Sequence, residues 1–583
     1  MTASTISIPK PKRLADHSAD WRMIMLAGAA IVVGTGAAFG AWILFKLIAL
    51  ATNLFWFGKV SAVPSEIVNT HVGLAVIAIP VTGSLMIGLM ARFGSEKIKG
   101  HGIPEAIEAI LYGESRLSLK VAVLKPLSSA ISIGSGGPFG AEGPIIMTGG
   151  AIGSLFAQCF HFSAAERKTL LVAGAAAGMT GIFGTPIAAI LLAIEVLLFE
   201  WKPRSFVPVV VATLVAFAWR PMLLGSGPLF PFAAAPVQAW WPTGGLALGM
   251  GVLVALEAAL LSVLLYRVED AFHRIPLHWM WWPALGGIVV GIGGLIDARV
   301  LGAGYPNIQA LLDGSLAVRV ILTLLIVKAI VWLVALGSGT SGGVLAPLLI
   351  MGGAFGAILG QFLPGSVGFW AMIGMAGMMS GAMRAPLTGA LFAVELTGHF
   401  DALPATIAAA TGAYAISVLV MRRSILTEKI ARRGRHILQE YTVDPHEFLQ
   451  AEQVMTPDPA VLSGEMSIRD TVAYFGDGAT RRTYPVGDDR GRLLGMVSRS
   501  DALRWTVEGD LPEISLAEAL SDASQPVAYL HTSIGDVADL MVESGVGRIP
   551  IVEAATNRVL GILSRHDLLK VRSARKRAEV DRT

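Results

Sequence analysis

Residues 134–144 read GSGGPFGAEGP, and ten of the eleven are small, apolar or hydroxylic. The exception is Glu142, a single carboxylate in an almost charge-free stretch. The chain around it is greasy throughout: 54% hydrophobic, 15% charged, mean hydropathy +0.64. An average soluble domain is about 25% charged. Apolar runs of spanning length recur at Ile24–Leu50, His71–Met90, Gly244–Tyr266, Leu316–Leu336 and Leu403–Met421. About 20 apolar residues cross a bilayer as a helix, so these runs predict a polytopic membrane protein.

A glycine–proline break inside such a run stops the helix, and the N–H groups at the restarted N-terminus lack intrahelical partners. An orphaned N–H is costly in hydrocarbon but tolerable where it lines a cavity and meets a ligand. Helix N-termini carry partial positive charge, so the fitting ligand is an anion. Three breaks have this form: GHGIP at 100–104, GAEGP at 140–144 and GGVLAP at 342–347. Their glycines also let backbone approach an ion with no Cβ in the way. Glu142 at one of these ends places its carboxylate where a permeating anion would sit. Ionised, it plugs the site; protonated, it yields it. An ionisable residue at membrane depth is a functional hypothesis by default, and the glycine–proline frame argues against the alternative of a surface-loop glutamate.

The membrane part repeats. GIFGTPIAAILLAIE at 181–195 matches GAMRAPLTGALFAVE at 381–395, and SGGPFGAEGPIIMTGGAIG at 135–153 matches SGGVLAPLLIMGGAFG at 341–356. Close helix packing alone explains glycine richness, but not matched order at nearly one offset. Paired halves with a substrate site between broken helices are a transporter architecture. Beyond Met421 the composition turns basic and amphipathic (MRRSILTEKIARRGRH), then ordinary and soluble. That part repeats too. YPVGDDRGRLLGMVSRSDALR at 484–504 resembles IPIVEAATNRVLGILSRHDLLK at 549–570, each reading as strand, turn, strand, then a Ser-x-x-Asp helix cap.

These residues resemble the CLC family of chloride channels and proton-coupled chloride exchangers, over essentially all of 20–580. The family's anion-site motifs, written GSGIP, GKEGP or GREGP, and GxFxP, match the three breaks in order and spacing. The resemblance implies an all-α polytopic membrane protein with an inverted repeat, usually a homodimer with one pore per subunit, plus a cytosolic α/β CBS-pair domain. The expected divisions are a cytosolic N-terminal segment (1–22), a transmembrane domain (23–440, repeats about 23–225 and 240–430) and a cytosolic CBS pair (441–583, copies about 454–510 and 518–575). The expected location is the plasma (inner) membrane with both termini cytosolic, a placement that basic Lys10, Lys12, Arg13 and Arg22 favour.

By resemblance Glu142 is the gate, the amides of Val344 and Leu345 hold the anion, and those of Gly102 and Ile103 face it. Gly140, Ala141 and Gly143 complete that wall. Departures from the family pattern bear on mechanism. His101 replaces the serine of GSGIP; its imidazole can donate to an anion or simply cap a helix. Leu426 replaces the inner-gate tyrosine and cannot donate. Val196 replaces the internal proton glutamate of typical exchangers, which tilts the expectation towards a channel, with proton/chloride antiport the alternative. Glu200 could accept protons in its stead, but it reads better as a helix-end surface residue.

In the CBS pair, Ser498, Asp501, Ser564 and Asp567 match polar positions that commonly meet the ribose of ATP, ADP or AMP; many CBS pairs instead bind nothing and serve as dimerisation blocks. The tail VRSARKRAEVDRT reads as solvated and basic. No cofactor is expected for the membrane part, and no nucleic-acid partner. A CBS-containing magnesium transporter would want several converging carboxylates, unlike the lone Glu142. An intramembrane metalloprotease would need H-E-x-x-H; the nearest string, HEFLQ at 446–450, lacks the second histidine. Cys159 is the only cysteine, so no internal disulfide is possible.

Overall fold

Alanine- and glycine-rich apolar segments fold here into helices that pack at small residues. The computed structural model describes residues 21–70, 73–233, 240–435, 449–477, 479–508, 513–521 and 525–580. Residues 1–20, the start of the run at His71, the boundary near 440 and the histidine of HEFLQ lie outside them. The chain divides into two compact units that part between residues 440 and 441.

The membrane unit runs α1 (Arg22–Thr52), α2 (Ala75–Phe93), α3 (Ile103–Tyr112), α4 (Leu119–Gly134), α5 (Glu142–Cys159), α6 (Ala164–Phe183), α7 (Pro186–Leu192) and α8 (Pro203–Leu223). It continues with α9 (Trp240–His273), α10 (Trp282–Ile296), α11 (Tyr305–Leu312), α12 (Val318–Gly337), α13 (Leu345–Gly360), α14 (Val367–Met383), α15 (Pro386–Thr397), α16 (Leu403–Val420) and α17 (Ile425–Arg432). The second series repeats the first, helix for helix, about 200 residues on, and α17 follows. Among the described residues seven helices are long and apolar enough to cross a membrane. Two of them, at Pro203–Leu223 and Trp279–Ile296, escape a reading by apolar runs. Pro208, Arg220 and Pro221 interrupt the first, and glycines dilute the second.

The halves meet by exchange. Gly140 and Gly343 form an antiparallel bridge in which each N–H donates to the other's carbonyl, at 3.3 and 2.9 Å. Glu395 accepts from the Ile187 and Ala188 N–H groups at the start of α7 (3.0 and 2.7 Å). Glu195 accepts from those of Leu387 and Thr388 at the start of α15 (3.3 and 2.9 Å). Such reciprocity is the mark of a two-fold relation. Glycines cross face to face in both halves: a Cβ on Gly149 or Gly174 would strike the other's carbonyl, and so would one on Gly352 or Gly374. This is small-residue packing of membrane helices.

Two buried lysines clamp matching loops. Lys125 Nζ donates to the Ile98 and Gly100 carbonyls (2.8 and 2.7 Å), and Lys328 Nζ to those of Val300 and Gly302 (2.8 Å each). Each ammonium replaces lost hydration with carbonyl oxygens and fixes the loop just ahead of a helix N-terminus.

The second unit has strands β1 (Thr456–Pro457), β2 (Leu462–Ser463), β3 (Thr483–Gly487), β4 (Leu493–Ser498), β5 (Ala528–Tyr529), β6 (Arg548–Val552) and β7 (Val559–Ser564). They form sheets of order β2-β3-β4 and β1-β7-β6-β5. The hairpins β3–β4 and β6–β7 match, down to a register shift at Val486/Gly487 and at Ile551/Val552. Helices Arg499–Glu508 and Arg565–Val580 follow them, the second taking in most of the tail read as solvated and basic.

Replacing Glu395 by Ala leaves two N–H groups of α7 without an acceptor, and a buried unsatisfied donor costs about 1–3 kcal/mol. The purified protein is expected to melt at lower temperature, with Glu395→Gln, which retains one oxygen acceptor, falling between the two. An unchanged melting midpoint for Glu395→Ala counts against the cap.

Candidate anion site

The three glycine–proline stretches converge. Beyond the Gly140–Gly343 bridge, Gly100 pairs in parallel with Ser341, its N–H donating to the Thr340 carbonyl at 3.1 Å. A Cβ on Gly143 would collide with the carbonyl oxygen of His101. Glycine is therefore required at 143 by the approach of one broken helix to another, not by flexibility.

Glu142 is fully buried. Its carboxylate folds back over Gly140, filling the space a Cβ there would need, and a Cβ on Gly343 would stand 2.6 Å from Oε2. The N–H of Ala346, in the first turn of α13, faces the carboxylate, as does the Glu142 N–H. The Tyr305 hydroxyl donates to Oε1 at 3.5 Å. Oε2 has no partner of good hydrogen-bond geometry. At the start of α13, Pro347 supplies no N–H, and Leu348 is the first residue to bond back, to the Val344 carbonyl. The amides of Val344, Leu345 and Ala346 therefore precede the hydrogen-bonded ladder, and a negative group beside them is favoured by the helix end.

The α3 terminus differs from expectation. The Gly102 N–H is not free to face an anion: it donates to Glu105 Oε2 at 3.0 Å. Glu105 is held in turn by Lys429 (2.8 Å) and Arg433 (3.3 Å). A carboxylate in the helix's own first turn has taken the donor, and the Ile103 amide remains beside it. His101 is 2% exposed, and neither ring nitrogen has a hydrogen-bond partner. It lies among the residues that line a cavity of about 950 Å³, together with Gly100, Met147, Tyr266 and Lys429. Lys99, Arg432, Arg433 and Arg435 also line that cavity, with Glu105, Glu108, Glu269 and Asp270.

Leu426 is buried in the apolar core at the start of α17 and is not among the cavity's lining residues. Tyr266 lines the cavity and donates to the Ile425 carbonyl at 2.5 Å. Val196 is buried, so no carboxylate stands at its position. Glu200 is engaged by Ser205 (2.9 Å), Lys168 (3.6 Å) and Lys202 (3.8 Å) at the helix end. Sequence reasoning passed over Tyr305, although a signal existed: GAGYP at 302–306 repeats GHGIP at 100–104. It also passed over Lys125 and Lys328, which look like isolated charges in apolar runs until the fold brings carbonyls to them.

In the second unit Ser498 and Asp501 form a reciprocal cap. The Asp501 carboxylate accepts from the Ser498 N–H and hydroxyl (2.9 and 2.6 Å), and Ser564 and Asp567 repeat the arrangement (3.0 and 2.6 Å). A cleft of about 590 Å³ is lined by Ser498, Asp501, Ser564, Arg548, Arg565 and His566 among others, but not by Asp567. Asp567 is thus placed as a cap rather than as a wall of that cleft.

The family model described as "Voltage gated chloride channel" matches residues 82–418, and the CBS domain model matches 451–508 and 520–574. The protein described as "Voltage-gated ClC-type chloride channel ClcB" from Salmonella typhi is 30% identical over 379 residues, 63% of this chain and 90% of that one. A "Putative chloride channel protein ClcB-like" from Ralstonia nicotianae is 28% identical over 348 residues, 58% of this chain and 81% of that one. A slow cyanobacterial Cl-/H+ antiporter superposes with TM-score 0.63 at 20% identity, covering 71% of this chain and 99% of its own. A eukaryotic CLC transporter superposes with TM-score 0.59 at 20% identity, covering 94% and 98%. At these identities the superpositions establish the fold.

Gly143→Ala inserts a methyl into the His101 backbone, so the two helix ends must separate. Anion flux per folded molecule in liposomes is expected to fall at least tenfold, whereas Gly28→Ala, where a Cβ meets nothing, leaves it unchanged. Equal flux in both variants would show that the close approach is unimportant.

Proposed function

The chain belongs to the voltage-gated chloride channel (CLC) family, and on that premise we propose that it conducts chloride or a similar small anion passively, with Glu142 as the gate. The observation that carries this is the position of one carboxylate, fully buried, over Gly140, against Gly343 and facing the Ala346 N–H. It fills the electropositive spot that interrupted helices create. An anion entering the cavity meets the basic side chains, then His101, whose imidazole offers a donor with no competing partner. The amides of Ile103, Val344, Leu345 and Ala346 receive it once Glu142 withdraws, with Ala141 and Gly143 forming the glycine-rich wall.

Buried Val196 supports a channel, because no carboxylate is there to relay protons. The competing reading, proton-coupled exchange, draws on Glu142 itself, an ionisable group in the anion's path. On this reading the protein works in the plasma (inner) membrane as a homodimer with cytosolic termini. The CBS pair modulates it by binding an adenine nucleotide. Vicinal ribose hydroxyls would meet Asp501, and phosphates Arg548 and Arg565, in the cleft where Ser498 and Ser564 also lie.

Flux into liposomes with a proton gradient tests the pore. The reversal potential is expected to follow the anion gradient alone, and a shift with the proton gradient would replace conduction by exchange. Glu142→Gln is expected to keep anion flux and lose its pH dependence; pH dependence like that of the wild type would remove Glu142 as gate. His101→Ser, in the same assay, is expected to reorder anion selectivity, and an identical series would deny contact with the ion. For the CBS pair, calorimetric titration of the full-length protein with ATP, ADP and AMP is expected to show binding that Asp501→Asn weakens by about tenfold, the value of a lost charge-assisted hydrogen bond. No heat from the wild type would leave the cleft without a ligand.

A further inference from the structure

We infer that the Tyr305 hydroxyl is a latch that holds Glu142 in its closed position, and so sets how readily the gate opens. Tyr305 is the first residue of α11, and its neighbours make it a fixed donor. The hydroxyl oxygen accepts from the Ala141 N–H at 3.4 Å, which leaves its one hydrogen for Glu142 Oε1 at 3.5 Å. Its ring lies edge-on to Phe183 (centroids 6.4 Å apart) and tilted against Phe230 (6.1 Å). The loop ahead of it is clamped by Lys328 and by Asn307, whose amide donates to the Arg299 carbonyl at 2.7 Å. An aromatic side chain so held has little rotamer freedom left to lose when it binds the carboxylate.

The two-fold relation sharpens the point. GAGYP at 302–306 corresponds to GHGIP at 100–104, so Tyr305 takes the place of Ile103, and His101 that of Ala303. Each half therefore carries one hydrogen-bonding side chain in this loop, at different positions: an imidazole on the cavity side and a phenol on the carboxylate. The Tyr305 hydrogen bond exists only while Glu142 lies over Gly140. By linkage, a group that binds one of two states shifts the balance towards it. Other charges on the surrounding elements are engaged elsewhere: Lys328 with Val300 and Gly302, Lys125 with Ile98 and Gly100, and Glu105 with Lys429 and Arg433. His101 is uncharged when neutral and presents its backbone carbonyl to Gly143. None of these side chains is a hydrogen-bond partner of Glu142 among the described residues.

The inference rests on Glu142 being the gate, and the test separates the two. Chloride efflux from liposomes is measured across pH for wild type, Tyr305→Phe, Glu142→Ala and the double variant. Phe keeps the ring packing and removes only the hydroxyl, and Ala at 142, unlike Gln, leaves that hydroxyl no acceptor. Tyr305→Phe is expected to raise flux at alkaline pH by roughly threefold to tenfold, the worth of one hydrogen bond, and to displace the flux–pH profile to higher pH. In the Glu142→Ala background the same change is expected to have no effect on either. A change of equal size in that background would make Tyr305 merely structural. Flux and profile like those of the wild type would remove the latch while leaving the gate in place. If Glu142→Ala alone leaves the profile unaltered, it is the gate that fails. Should Tyr305→Phe not assemble, Tyr305→Leu removes the same hydroxyl and is read by the same criteria.

Discussion

A buried helix N-terminus presents N–H groups that have no partner within the helix and no water to turn to. This chain starts helices α3, α7, α13 and α15 with such N–H groups, and at each one a glutamate answers: Glu105, Glu395, Glu142 and Glu195 respectively. Three of the four carboxylates are committed by good hydrogen bonds or ion pairs. Glu142 is the exception. It has a long contact to Tyr305 and an Oε2 atom without a partner of good geometry. A buried carboxylate with one long contact and one unpartnered oxygen is held less firmly than the other three, and that is the property a group displaced by a mobile anion would need.

The scaffold is symmetric in its packing and asymmetric around Glu142. Exchanged caps, clamping lysines and facing glycines recur in both halves because each half meets the same packing problem. At the axis the matched positions diverge: Glu142 against Leu345, His101 against Ala303, Tyr305 against Ile103. A strictly two-fold site would set two carboxylates against each other in a low-dielectric space. One carboxylate among donors avoids that repulsion.

The second unit repeats this economy on a smaller scale. Its two copies use Ser-x-x-Asp to cap helices, and that local need accounts for the motif without any ligand. What distinguishes one copy from the other is the cleft wall. Asp501 lines the cleft and Asp567 does not, while Arg548, Arg565 and His566 make it basic.

The membrane class, the repeats, the three broken helices and the place of Glu142 at one of them were legible in the sequence, because hydropathy, glycine–proline breaks and a lone charge are local signals. The two helices at Pro203–Leu223 and Trp279–Ile296 were not, since interruptions hide a span from a scan for unbroken apolar runs. At the site, sequence could nominate Gly102 as a donor but could not see that Glu105, three residues on, already occupies its N–H. Tyr305 and Glu142 stand far apart in the chain, and their contact exists only because two halves fold back across an axis. Local chemistry determined which groups would need partners and supplied the short-range ones, such as Glu105 for the Gly102 N–H; the tertiary structure alone decided the rest, Glu395 for α7, Glu195 for α15 and Tyr305 for Glu142, because those choices are made by packing between residues more than a hundred positions apart.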